Sequence, residues 1–120
     1  MDGDIAPLDS IVKLSKKYEC ISMIDEAHAT GILGDTGSGA SEMFGVQDKI
    51  DICMGTLSKA IGSVGGYIAG SSDLIDYLKN RARSFIFDTS LPAGALTASI
   101  RAIKLIESCH LYTSPSPRDS

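Results

Sequence analysis

The chain has 120 residues, with 11 Lys and Arg against 15 Asp and Glu, for a formal net charge of −4. Its length limits it to one modest globular unit, and its 43% hydrophobic content can supply a core. The acidic balance, with no basic run longer than Lys16-Lys17, argues against nucleic-acid or anionic-membrane partners.

No apolar stretch approaches the ~20 residues of a membrane-spanning helix. The Met1-Asp-Gly-Asp start is acidic where a secretion signal is basic, so a soluble, cytoplasmic chain is expected. The three cysteines, Cys20, Cys53 and Cys109, are odd in number and widely spaced, which predicts buried thiols in a reducing compartment.

In chain order, residues 7–18 place Leu8, Ile11, Leu14 and Tyr18 on one stripe at helical spacing. Pro7 suits the first turn and Lys16-Lys17 the negative end of that helix. Residues 20–25, apolar and ending in an acid, predict a buried strand, and residues 50–55 predict a second. Residues 66–70 predict a third, after which Ser71 or Ser72 caps a helix over 73–83 with Leu74, Leu78 and Ala82 on one face. Residues 85–87 predict a brief fourth strand. Pro92 opens a last helix in which Leu96, Ile100, Ile103 and Ile106 keep helical spacing. Residues 111–120, rich in Ser and Pro and without periodicity, predict a disordered tail whose composition is foreign to the rest.

Short apolar strands interleaved with amphipathic helices predict an α/β layered fold, a buried sheet covered by helices. Ligands in such folds gather at the carboxyl ends of strands. There lie Asp25, Glu26 and His28 after the first strand, and Thr56, Ser58 and Lys59 after the second.

An apolar strand ending in Asp25-Glu26-Ala27-His28 also suits the magnesium-binding acid of a helicase-type ATPase, which needs a phosphate loop. The nearest candidate, Gly34 to Ser41, puts Ala40 where the lysine belongs and follows the acidic strand instead of preceding it. Those glycines therefore read as a mobile loop over the site.

The segment Gly55-Thr56-Leu57-Ser58-Lys59-Ala60-Ile61-Gly62 has two readings, a polar loop with a solvated lysine or a cofactor site. In the second, glycines permit close approach, hydroxyls and backbone N–H groups hold a phosphate, and a desolvated Lys59 attacks a carbonyl as a neutral amine. A lysine beside a phosphate pocket points to pyridoxal phosphate.

Five blocks in order carry a resemblance. They are residues 1–8, Asp25-Glu26-Ala27-His28-Ala29-Thr30-Gly31, Gly55 to Gly62 as above, Gly65-Gly66-Tyr67-Ile68-Ala69-Gly70, and Phe85-Ile86-Phe87-Asp88-Thr89-Ser90-Leu91-Pro92. Together they resemble the α-oxoamine synthases, fold-type-I pyridoxal-phosphate enzymes. The resemblance implies part of the three-layer α/β/α large domain of an aspartate-aminotransferase-like fold over residues 1–110. It also implies an acyltransferase that condenses alanine or glycine with an acyl thioester, carried on coenzyme A or acyl-carrier protein, to give an α-oxoamine.

By the same resemblance Lys59 is the Schiff-base lysine and the acid–base group at Cα, and Asp25 is the acid beneath the pyridine nitrogen. His28 matches the histidine that hydrogen-bonds the phenolic oxygen, while Thr56 and Ser58 match phosphate contacts. Thr89 matches a region that reaches the phosphate of a neighbouring subunit, which implies a homodimer. Asp88 stands where the family has a small hydroxyl residue and sets a negative charge beside that phosphate. Family enzymes are about three times longer, so the chain reads as an internal segment of a two-domain subunit. As a truncated chain it could also act without catalysis, by pairing with a full-length subunit.

Overall fold

The computed structural model describes residues 3–108. The predicted tail, residues 111–120, and Cys109 lie outside them.

Helix α1, Leu8–Lys17, begins after Pro7, whose carbonyl accepts the N–H groups of Ser10 and Ile11 at 3.1 Å. Asp9 in its first turn and Lys16-Lys17 in its last complement the helix dipole. The face it buries is Leu8 and Val12, one turn apart, and not the predicted stripe: Ile11, Leu14 and Tyr18 are exposed. Leu8 and Val12 join Ala29, Ala40 and Val46 in the core, against which Ile24, Leu33, Phe44 and Ile50 pack. The stripe led by Ile11 meets no such cluster among the described residues.

Strands β1, Met23–Asp25, β2, Ile52–Thr56, and β3, Gly66–Gly70, form one sheet in that order. β1 runs parallel to β2, with Asp25 opposite Met54, and β3 returns antiparallel, with Tyr67 opposite Gly55. The α/β class holds, but the strands are more open than predicted. Met23 and Asp25 are exposed and Ile24 is half-buried, because α1 and its core cover one side of β1 only.

Helix α2, Ala40–Met43, and a 3₁₀ turn, Gln47–Lys49, lie between β1 and β2. Helix α3, Ser72–Arg81, starts where the Ser71 hydroxyl accepts the Leu74 N–H at 3.3 Å, and Leu74 and Leu78 lie half-buried along it. The predicted strand at 85–87 is instead a helical turn, α4, Arg83–Ile86. The carbonyl of Ala82 accepts the N–H groups of Phe85 and Ile86 at 3.0 and 2.9 Å, so this segment closes its backbone bonds locally.

Helix α5, Ala93–Ser108, follows Pro92 as expected. Its buried residue is Ser99, whereas Leu96, Ile100 and Ile103 of the predicted core stripe are exposed. Among the described cysteines Cys20 is exposed and Cys53 half-buried, so the expectation of buried thiols fails at Cys20. No described helix is long and apolar enough to cross a membrane.

Where β1 and β2 begin, Ser22 is locked to Asp51. The Ser22 N–H and hydroxyl donate to Asp51 Oδ2 at 2.8 and 2.7 Å, and the Asp51 N–H donates back to Ser22 Oγ at 3.1 Å. The N–H and hydroxyl of Ser22 hold the Asp51 carboxyl below its ordinary 3.8. A lowered folded value means that this contribution to stability is complete above 3.8 and is lost as pH falls through the folded value. In urea titrations between about pH 5 and 2, the unfolding midpoint should therefore fall more steeply for the native chain than for Asp51→Asn.

Candidate active site

Because β1 and β2 are parallel, their carboxyl ends reach the same rim of the sheet, bringing Asp25 and Thr56 there as the last residue of each strand. Lys59 follows on a loop closed by three backbone bonds. The Leu57 N–H donates to Gly65 O at 2.9 Å, Ser63 N–H to Leu57 O at 2.7 Å, and Gly62 N–H to Lys59 O at 2.9 Å. The Ser63 hydroxyl donates to the Ala95 carbonyl at 2.8 Å and ties that loop to α5.

A cavity of about 790 Å³ lies over this rim, lined by Asp25, Thr56, Lys59, Gly66 and Tyr67 together with apolar residues of α3. A second, of about 640 Å³, is lined by Asp4, Asp25, Glu26 and His28 among others. Asp25 borders both.

Of the residues singled out from sequence, Asp25, Thr56 and Lys59 thus share one cavity, and His28 meets Asp25 at the other. Ser58 and Thr89 line neither. Ser58 is exposed, its hydroxyl 2.8 Å from Thr56 Oγ1, which also donates to the Gly65 carbonyl at 3.1 Å. Thr89 is exposed and donates its N–H to Asp88 Oδ1 at 2.8 Å. Lys59 is exposed, not desolvated as expected, although it borders the cavity.

Sequence reasoning placed Glu26 at the strand end without its role, and missed two residues. Glu26 is fully buried, and its carboxylate accepts the N–H groups of Ala40 and Ser41 at 2.9 and 2.8 Å. Gly39 makes room for it, since a Cβ there would stand 2.6 Å from Glu26 Oε2. This adds to the case against the ATPase reading, because one acid of the Asp25-Glu26 pair is enclosed and the glycine segment gives its amides to it. The mobile-loop reading fails. Thr36 and Ser38 in the same segment are bound by Glu42, whose carboxylate accepts both N–H groups and the Thr36 hydroxyl. Burial raises the Glu42 carboxyl, but these bonds outweigh it and hold the group below its ordinary 4.5.

The other two are Tyr67 and Thr30. The Tyr67 ring lies over Gly55, where any Cβ would collide with it, and its hydroxyl is 3.0 Å from Thr30 Oγ1. Thr30 in turn donates to the Glu26 carbonyl at 3.0 Å. A tyrosine opposite a glycine becomes visible only once β2 and β3 are paired in register.

The aminotransferase class I and II family model matches residues 1–114. An 8-amino-7-oxononanoate synthase of Citrifermentans bemidjiense is 59% identical over 108 residues, covering 90% of this chain and 28% of that protein. A solved serine palmitoyltransferase from S. paucimobilis, with a PLP-myriocin aldimine bound, superposes with a TM-score of 0.86 at 33% identity, over 90% of this chain and 28% of that one. The 8-amino-7-oxononanoate synthase of Francisella tularensis gives 0.74 at 34% identity, over 88% and 31%. The chain spans less than a third of the length of each.

Two outcomes follow from the geometry. Gly55→Ala should lower stability by about 1–3 kcal/mol, measured by urea unfolding, because the added methyl displaces the Tyr67 ring. Burial, followed by the negative charges of Glu26 and Asp25, pushes the Cys53 thiol above its ordinary 9.0. Alkylation near neutral pH, followed by peptide mass spectrometry, should therefore modify exposed Cys20 well before Cys53.

Proposed function

This chain belongs to the aminotransferase class I and II family, and we propose that the whole protein is a pyridoxal-phosphate-dependent acyltransferase. It condenses alanine with a pimeloyl thioester, as an 8-amino-7-oxononanoate synthase does in biotin biosynthesis. The observation that carries this reading is one cavity holding an amine, a carboxylate and a hydroxyl from the ends of two adjacent strands, Lys59, Asp25 and Thr56. Sequence identity to the synthase of Citrifermentans bemidjiense supports the choice of substrates.

The donor set fits the cofactor. Pyridoxal phosphate offers an aldehyde to an amine, a ring nitrogen to a carboxylate, and a phosphate to hydroxyl and N–H donors. When bound, it supplies an electron sink for the charge that develops at the amino-acid Cα. Lys59 Nζ would hold the cofactor at its aldehyde carbon and, as a free amine, would accept and return the proton at the amino-acid Cα. Asp25 would hold a proton on the ring nitrogen across a charge-assisted hydrogen bond, and its own orientation is set by the Ala27 N–H, which donates to Oδ1 at 2.9 Å. His28, on the turn after Asp25, would orient the ring through its phenolic oxygen, and Thr56, with the Ser58 hydroxyl 2.8 Å from its own, would bind the phosphate.

We assign Thr89 to the phosphate of a second subunit, in a homodimer. Its exposure and its place outside both cavities accord with a role across an interface. Asp88, whose carboxylate occupies the Thr89 N–H, adds negative charge there and weakens phosphate binding. Residues 1–110 form part of the cofactor-binding large domain, and the unpaired thiols Cys20 and Cys53 suit the cytoplasm. Lys59, Asp25 and His28 are all open to solvent, and the 120-residue chain by itself turns over no substrate.

Mixing the 120-residue chain with pyridoxal phosphate, reducing with borohydride and mapping the added mass should place the label on Lys59. It should be absent from Lys59→Ala, with no product from alanine and pimeloyl thioester in either case. Label spread evenly over Lys13, Lys49, Lys79 and Lys59 would overturn the assignment.

A further inference from the structure

We propose that Glu26 is the positioning residue of this site, the group that sets where Asp25 and His28 stand. The inference rests on the cofactor reading above for its consequence, though not for its geometry. Glu26 separates the two candidate groups in sequence, is 0% exposed, and has every polar atom engaged inside the protein. Its N–H donates to the Met54 carbonyl on β2 at 2.7 Å. Its carbonyl accepts the N–H groups of Ala29 and Thr30, both at 2.9 Å, and the Thr30 hydroxyl at 3.0 Å. Its carboxylate accepts Ala40 and Ser41 at 2.9 and 2.8 Å.

These bonds run in three directions. One ties Glu26 to the neighbouring strand. The second folds the turn that carries His28 back onto the Glu26 carbonyl and, through Thr30, onto Tyr67 of β3. The third moors the end of β1 to the first residues of α2. Asp25 lies between the first and the second, and its Oδ1 is held by the N–H of Ala27 inside the same turn. The carboxylate thus pins the residue whose main chain joins strand and turn, so a Glu26 released from Ala40 and Ser41 moves the Asp25 carboxylate and the His28 turn together. A glutamate that merely capped α2 would leave both in place.

Two variants separate these cases. Glu26→Gln keeps the size but offers one acceptor where two are needed, leaving an N–H of Ala40 or Ser41 unpaired in the core. Gly39→Ala keeps the charge but places a methyl against the carboxylate, 2.6 Å from Oε2. Amide hydrogen exchange should rise by about tenfold or more at Ala27 as well as at Ala40 and Ser41 in both variants, while the β2–β3 ladder keeps its protection. Borohydride-trapped cofactor on Lys59 should fall by a similar factor.

Faster exchange at Ala40 and Ser41 with Ala27 unchanged would reduce Glu26 to a cap and overturn the proposal. An equal rise throughout, the β2–β3 ladder included, would overturn it as general destabilisation. Should Glu26→Gln unfold, Gly39→Ala decides by the same criteria. Failure of the native chain to take label on Lys59 would strike the cofactor reading alone, since exchange at Ala27 still tests the positioning.

Discussion

A carboxylate with no access to water must be met by donors within the protein, or it costs several kcal/mol. Glu26 meets that requirement with two backbone N–H groups from a segment more than a dozen residues further along the chain. Much else follows from this one pairing. Gly39 has no room for a side chain, the glycine-rich segment is fastened, and the core formed by Ala29, Ala40 and Val46 can close against Leu8 and Val12. Hydrogen bonds to a charged acceptor contribute roughly 1.5–3 kcal/mol each, so the pair stands well above an ordinary turn contact.

The sheet converts this anchorage into a site. Two parallel strands end at one rim, and the antiparallel third starts from it, so residues distant in sequence arrive at one edge of a small sheet. Asp25 is delivered by β1, Thr56 by β2, and Lys59 by the loop that turns back into β3. Tyr67 braces the arrangement by spanning Gly55 to reach Thr30. The rim stays open to solvent, and exposed Phe85 of α4 lines the cavity, followed in the chain by exposed Ile86 and Phe87.

Much of this was legible in the sequence because the responsible signals are local. Pro7, Ser71 and Pro92 mark helix starts through backbone constraints that act within one turn, and the apolar runs before Asp25 and Thr56 mark strands. The lysine, the acid and the histidine were visible as residue types set in glycine-rich surroundings. What escaped depends on partners. The stripes of α1 and α5 were misplaced because periodicity finds an apolar face without saying which neighbour covers it, and both helices carry apolar residues on more than one side. Residues 85–87 looked like a strand from Phe and Ile content, but local bonds to the Ala82 and Arg83 carbonyls made a helical turn. Glu26 was placed at the strand end but its role was not read, because its donors, Ala40 and Ser41, are identifiable only after the chain has folded back.

The bonds between Ser22 and Asp51 lie at the far end of the same strand pair, away from the cavity. In a strand, adjacent side chains point to opposite faces, so a slip of one residue exchanges them. Here the adjacent residues at the business end of β1 are two acids with opposite fates, Asp25 in the open and Glu26 enclosed. Sliding β1 by one position against β2 would drive the shorter acid into the core and turn the longer one outward, leaving a sheet of nearly the same appearance with its chemistry inverted. The serine–aspartate pair, by fastening the strands at their entrance, chooses between two carboxylates at their exit.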